Sequence, residues 1–233
     1  MKKSLFFTAA LFAGLLLLSW NQPAKKENPY RLDVMATLAA YDSAIHENPS
    51  NQLVNLEKAV PGIVLDIRYA TANNFTHQPV YPAPKAYVRK PVAEALMQIQ
   101  QELNSKGMGL KIYDAYRPYA VTLKFFQLYP DTNFVASPKT GSRHNRGCAI
   151  DLTIIDIRSG KELEMPTSFD NFTERASHSF QDLSPDALQN RNILRETMIR
   201  HGFEALESEW WHYDFSGWRN FKIMDIAFDE LNN

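Results

Sequence analysis

The sequence predicts an α+β fold, a single domain built on a largely antiparallel sheet flanked by helices. Its 233 residues suit one globular domain with a short appendage. Strand-like and helix-like stretches are both present, but they do not alternate with the regularity that a parallel sheet requires. The strongest strand-like stretch, residues 148–157, runs into Arg158-Ser159-Gly160, a turn that reads as leading to a return strand. With 45% hydrophobic and 22% charged residues, the chain is neither disordered nor polytopic. A formal net charge of −1, with Lys and Arg scattered, gives no footprint for nucleic acid.

In chain order, Lys2 and Lys3 precede an apolar run from Leu5 to Leu18, followed by the polar stretch 21–27. That is the pattern of a secretory signal, here assigned to residues 1–24, and it predicts export, to the periplasm. The run is shorter than the ~20 residues of a membrane helix, so removal is expected, with an uncleaved anchor as the alternative. Residues 25–55 read as a leader of low order carrying a short helix within 32–44, and the folded domain is expected over 56–233. A strand follows over 63–69 and an extended loop over 70–83. A helix opened by Pro91 has Val92, Leu96, Ile99 and Leu103 on one face and closes at Gly107. Leu110 to Ala115 reads as a strand, and Pro118 starts a helix over 119–128. Ser184 caps a helix reaching Arg200 and ended by Gly202, and the aromatic stretch 203–215 reads as extended.

Two clusters carry the chemistry. In Ser142-Arg143-His144-Asn145-Arg146-Gly147-Cys148-Ala149-Ile150-Asp151, an aspartate sits inside an apolar strand. Burial of that carboxylate is costly unless it is paired or metal-bound. In Glu209-Trp210-Trp211-His212 an acid and an imidazole stand among bulky rings. The chain has no His-Glu-x-x-His pair, so the helical zinc-protease arrangement is excluded. On an extended chain, positions three apart face opposite sides, so a bulge or turn must bring Glu209 and His212 to one site. His144, Asp151 and His212 satisfy the three-ligand rule for catalytic zinc, one ion per chain on the sheet, and leave Glu209 free as a general base. Arg117 lies at a strand-to-helix junction, and its planar donor fork suits an oxyanion; a salt bridge to Asp114 is the alternative. Cys148, the one cysteine, reads as a small buried hydrophobe or else as a fourth ligand. His46, His178 and His201 read as structural, His201 as a cation near a helix C-terminus.

The combination Tyr116-Arg117-Pro118, Ser142-x-His144-x6-Asp151 and Glu209-x-Trp211-His212, in that order, resembles the zinc D-alanyl-D-alanine metallopeptidases. The doubled tryptophan and the segment Tyr69-Ala70-Thr71-x-Asn73-Asn74-Phe75-Thr76 resemble its dipeptidase branch, the vancomycin-resistance type. The resemblance covers roughly residues 60–215. It implies the same zinc site, Glu209 as base and Arg117 as transition-state stabiliser, and it adds Ser142 and Asp170 as residues that contact the dipeptide. Two departures stand out: Pro166 where the family usually has Gly, and His77 where it more often has Gly. His77 is expected to change the pocket's rim. The implied activity is hydrolysis of small D,D-dipeptides, with D,D-carboxypeptidase action on peptidoglycan stem peptides as the alternative; the expected export makes scavenging of wall-derived dipeptides the expected role. A zinc-retaining binding module is the rival from another class, and the presence of Glu209 argues against it.

Overall fold

The computed structural model describes residues 28–132 and 134–231, so the segment 1–24 assigned to a signal lies outside the described residues. The centre of the fold is a pair of long antiparallel strands, β5 (Met108–Asp114) and β6 (Ala149–Asp156). In β6 every residue but the last is buried, as its apolar run demands. The sheet has five strands in the order β3-β5-β6-β8-β7, where β3 is Val64–Leu65, β7 Phe203–Ala205 and β8 His212–Phe215. Only β3 runs parallel to its neighbour. The expected α+β architecture with a largely antiparallel sheet is therefore the one found.

The helices obey their sequence signals. α3 (Lys90–Asn104) has Pro91 in its first turn and buries Val92, Leu96, Ile99 and Leu103 on one face. α4 spans Tyr119–Leu128, directly after Pro118. α5 (Pro185–Arg200) is capped by the Ser184 hydroxyl, which accepts from the Ala187 N–H at 3.1 Å.

Between Ile112 and Asp114 the β5–β6 register slips. Ile112 faces Leu152 but Asp114 faces Asp151, so two residues of β5 answer one of β6. This bulge re-aims the end of β5 and sets two aspartates side by side at the rim of the sheet. On the other side of β6, His212 pairs with Asp151 and Asp214 with Ala149. Alternation along β8 puts His212 and Asp214 on the face that carries Asp151.

Four expectations are corrected. The stretch read as a leader of low order holds β1 (Val34–Met35), α1 (Leu38–Glu47) and β2 (Leu53–Asn55), followed by α2 (Leu56–Ala59). β1 pairs in parallel with β9 (Ile223–Met224), and β2 pairs antiparallel with β4 (Tyr87–Arg89). Its order comes from partners far away in sequence, which local periodicity does not register: Tyr41 is buried and its hydroxyl accepts from the Leu53 N–H at 2.7 Å. The strand expected over 63–69 is only two residues long, because the chain then coils into a 3₁₀ turn at Arg68–Ala70. The return strand after Gly160 is reduced to a single bridge between Ile155 and Glu162. The stretch 203–215 is two strands, not one, with a turn between them.

His77 is exposed, and it is not among the residues that line the pocket described below. Its φ of +54° is the left-handed conformation in which a glycine sits without strain, and its N–H donates to the Asn74 carbonyl at 3.0 Å. A side chain there costs about 1–2 kcal/mol, partly offset by the ~0.5–1 kcal/mol that glycine loses through unfolded-state freedom. His77→Gly should therefore raise stability by up to about 1 kcal/mol at unchanged kcat/KM, as read by denaturant unfolding and dipeptide hydrolysis.

Candidate metal and catalytic site

His144 opens a 3₁₀ turn, His144–Arg146, closed by Gly147 at φ +69°. A Cβ on Gly147 would lie 2.6 Å from Leu53 of β2, so only glycine lets this loop pack on the N-terminal segment. Asn145 ties the loop down. Its amide oxygen accepts from the Ser142 N–H at 2.7 Å, and its amide nitrogen donates to the Arg117 carbonyl and the Thr122 hydroxyl, each at 2.8 Å. The Arg117 N–H in turn donates to the His144 carbonyl at 3.1 Å. The loop carrying the first imidazole and the junction carrying the arginine are thereby one unit.

The structure brings His144, Asp151 and His212 together, all buried, as a group able to hold a metal ion. Their hydrogen bonds decide which atoms face the shared point. His144 Nδ1 lies 2.7 Å from the Ala115 carbonyl, which can only accept, so Nδ1 carries the proton and Nε2 is free. His212 Nε2 lies 3.0 Å from Asp214 Oδ1, which leaves Nδ1 as the inward nitrogen. His144 Nε2, His212 Nδ1 and Asp151 Oδ1 are separated by 3.2, 2.9 and 3.4 Å. Ligands about 2.0–2.2 Å from a tetrahedral centre stand about 3.3–3.6 Å apart, so the triangle is close to that of a zinc site with one position left open. The donor set, two imidazoles and a carboxylate with outer hydrogen-bond partners, fits one zinc ion. Cys148 takes no part. It is fully buried outside this group, its thiol pushed up to about 12 by burial, and its Sγ is 3.5 Å from the Arg146 carbonyl.

Glu209 reaches the same place through a turn, as an extended chain would not allow. The Glu209 N–H donates to the Leu206 carbonyl and the His212 N–H to the Glu209 carbonyl, at 3.1 and 3.2 Å. Both tryptophans of the turn are buried; the Trp210 indole donates to the Thr167 hydroxyl at 2.9 Å, and Trp211 packs edge-on against Phe169. The Glu209 carboxyl is buried and pushed up to about 8, chiefly by burial and partly by the charges of Asp151 and Asp170, against the pull of His212. Without a metal this carboxyl is largely protonated near pH 7, and a cation beside it would favour the ionised form that can accept a proton.

These groups open into a pocket of about 170 Å³, which Arg117, Ser142 and Asp170 also line. The salt bridge of Arg117 to Asp114 is present. Its Nε and Nη2 donate to Asp114 Oδ2 at 3.1 and 2.6 Å, and its guanidinium lies 4.7 Å from the Phe125 ring centre. Burial alone would weaken its charge, but Asp114 holds it well above the usual range. The Ser142 hydroxyl accepts from the His144 N–H at 3.1 Å, so it braces the ligand loop at the pocket wall. Asp170 has a left-handed φ of +59°, and its oxygens accept from the Tyr69 hydroxyl at 3.0 Å and the Phe75 N–H at 3.3 Å. Burial, reinforced by Asp151, pushes its carboxyl up to about 7. The sequence reading named Asp114 as a partner for Arg117 but missed Asp214 and Tyr69 as supports. Asp214 alone left a visible signal, since it stands two residues after His212 in a strand.

Fold and site together define a single-zinc hydrolase of the peptidase class, with an acid, a cation and a small pocket around the metal ligands. The chain belongs to the D-Ala-D-Ala dipeptidase family of M15 peptidases, whose model matches residues 49–225. The D-alanyl-D-alanine dipeptidase of Escherichia coli K12 is 34% identical over 71% of this chain and 85% of its own length. Its namesake from Enterococcus faecium is 34% identical over 68% of this chain and 88% of its own. Among solved structures, a vancomycin-resistance D,D-pentapeptidase in complex with Zn(II) aligns with a TM-score of 0.38 and 14% identity, covering 60% of this chain and 78% of that one.

Burial opposes the charge on His212, but Asp214 and Asp151 outweigh it and hold the imidazole protonated well above its usual range. A metal at Nδ1 must displace that proton, and a nearby cation also draws the protons from Glu209 and Asp170. Zinc uptake at pH 7 should therefore release at least about one proton, and affinity should rise with pH by at least about tenfold per unit. Calorimetry in buffers of different ionisation heat measures this directly. With zinc chelated, these three raised groups favour the protonated fold. Their stabilisation is complete below the unfolded values and lost as pH rises through about 7 and 8 for the two carboxyls and higher still for His212. The chelated protein should accordingly lose thermal stability from about pH 4 to pH 8 and above, and zinc should remove most of that slope.

Proposed function

We propose that the protein hydrolyses D-alanyl-D-alanine and similar small D,D-dipeptides to free amino acids, with one zinc ion held by His144 Nε2, Asp151 Oδ1 and His212 Nδ1. The observation that carries the reading is Asp170, a half-buried carboxylate that lines the same pocket of only about 170 Å³ as the ligand triangle. Zinc, when bound, supplies a Lewis-acid charge that acidifies water and polarises a carbonyl. Glu209 accepts the proton of the attacking water and returns it to the leaving amine. Arg117, its guanidinium edge fixed by Asp114, meets the negative charge that develops on the carbonyl oxygen, and it needs no reorganisation to do so.

Asp170 sets the substrate class. A carboxyl pushed up to about 7 is only partly ionised, and a substrate ammonium arriving beside it would draw out its full charge. The free N-terminus of a dipeptide provides that ammonium within a small pocket. A stem peptide continues past the same point and leaves the half-buried Asp170 without a cation, which favours the dipeptidase reading over D,D-carboxypeptidase action.

Export, with release of the N-terminal segment and residence in the periplasm, follows the signal pattern of residues 1–24. Scavenging of wall-derived dipeptides is the physiological role that fits it, because an enzyme outside the cytoplasm does not reach the precursor pool made there. Fractionation together with mass analysis of the mature N-terminus tests both points, and a cytoplasmic, full-length product would overturn them.

Glu209→Gln preserves shape and hydrogen bonding but cannot accept a proton, so it should keep its zinc and lose roughly 10²- to 10⁴-fold in kcat. Loss of the metal in that variant would make Glu209 a ligand instead. Asp170→Asn should raise KM for D-Ala-D-Ala far more than it lowers kcat, whereas Arg117→Ala should act mainly on kcat. Equal rates of the unaltered enzyme on D-Ala-D-Ala and on a stem pentapeptide would sink the assignment of Asp170.

A further inference from the structure

Asp214 lies next to the metal triangle but outside it. Its Oδ1 is 3.0 Å from His212 Nε2, and its Oδ2 is 3.4 Å from Nε of Arg143. Arg143 is about half exposed and lies 4.9 Å from the ring centre of Trp218. Both oxygens of the carboxylate are thus spoken for, one by an imidazole and the other by a guanidinium resting on an indole. The backbone fixes it as well, because Asp214 pairs with Ala149 on β6 and with Glu204 on β7.

An imidazole has two nitrogens, and a ligand must present one of them to the metal reproducibly. For His144 the choice is made by the Ala115 carbonyl, a backbone group that cannot be mutated away or repositioned. For His212 it is made by a side chain. A strand alternates faces, so His212 and Asp214 emerge together and the carboxylate meets the outer nitrogen without any special loop. Without Asp214, rotation of the ring about its Cβ–Cγ bond would offer Nε2 in place of Nδ1, and the ligand triangle would change shape.

We infer that Asp214 is a positioning residue for the metal site: it accepts the Nε2 proton of His212 and commits Nδ1 to zinc, while Arg143 and Trp218 hold the carboxylate in place from the pocket mouth. The inference rests on His212 being a ligand, and the experiment separates the two ideas. Zinc dissociation constants are measured by chelator competition for the unaltered protein and for Asp214→Ala, Asp214→Asn and His212→Ala. Cobalt is substituted in each, and the visible ligand-field spectrum is recorded.

Asp214→Ala should bind zinc about 10- to 100-fold more weakly and show a shifted cobalt spectrum. Asp214→Asn, whose amide oxygen still accepts from Nε2, should recover most of the affinity and the original spectrum. The Asn variant also guards against misfolding, since it keeps the size and one hydrogen bond of the native side chain. The inference is overturned if Asp214→Ala binds within about threefold of the unaltered protein with an unchanged spectrum. It is equally overturned if Asp214→Asn is as weak as Asp214→Ala, because charge and not position would then be the contribution. If His212→Ala retains zinc, the ligand assignment itself fails, and that result is distinct from either of the others.

Discussion

The constraint on which the site depends is the placing of three carboxylates in a buried space at one rim of the sheet. Asp114 and Asp151 are brought opposite each other by the β5 bulge, and Asp214 follows two residues after the partner of Asp151. All three are buried, and such a group of anions is far too costly to desolvate without cations. Each carboxylate has its own solution. Asp114 takes Arg117 on one oxygen and the Tyr81 hydroxyl, at 2.8 Å, on the other. Asp214 divides its oxygens between His212 and Arg143. Asp151 has only the two imidazoles, whose pull overcomes burial and holds its carboxyl well below the usual range. It is the member of the set that shares one point with the free nitrogens of both imidazoles, which is why the metal belongs there.

A second charge organises the supporting structure. Arg89 is completely buried, and its guanidinium donates to the carbonyls of Arg146 at 2.7 Å, Lys222 at 3.2 Å and Asn51. Those three carbonyls belong to the ligand loop, the C-terminal segment and the N-terminal segment. One side chain therefore ties both ends of the described chain to the turn that presents His144. The same turn needs Gly147 because Leu53 sits against it. The N-terminal segment is thus part of the scaffold of the site rather than an appendage to it.

These two features explain what the sequence disclosed and what it concealed. Asp151 was legible because a charged residue in an apolar strand violates the local pattern, and His144, Glu209 and His212 were legible through order and residue type. The helices were legible from Pro91, Pro118 and Ser184, which act within a few residues of themselves. The order of residues 34–55 was not, because it depends on Arg89, on β4 and on β9, contacts without a local signature. The placing of Asp114 opposite Asp151 and the role of Asp214 were concealed for a different reason. A bulge shifts register by one residue, and no periodicity in β5 announces it; Asp214 follows ordinary strand alternation, but it gains meaning only once His212 is known to turn its Nδ1 inward.

Asp170 shows how function and strain meet in this fold. A residue with a Cβ held at φ +59° costs stability unless its surroundings overdetermine it, and here they do: the Tyr69 hydroxyl and the Phe75 N–H each fix one oxygen. Tyr69 is itself packed among Phe75, Tyr81, Phe125 and Phe169, so the clamp is anchored in the aromatic core. Two neutral donors on this half-buried carboxylate do not offset its desolvation and the nearby charge of Asp151, which together raise it. The protein thus maintains an anion that its own side chains leave partly uncompensated, in a left-handed turn that aims it at the pocket. On the proposed reading, the ammonium of a dipeptide substrate supplies the charge that Asp170 lacks.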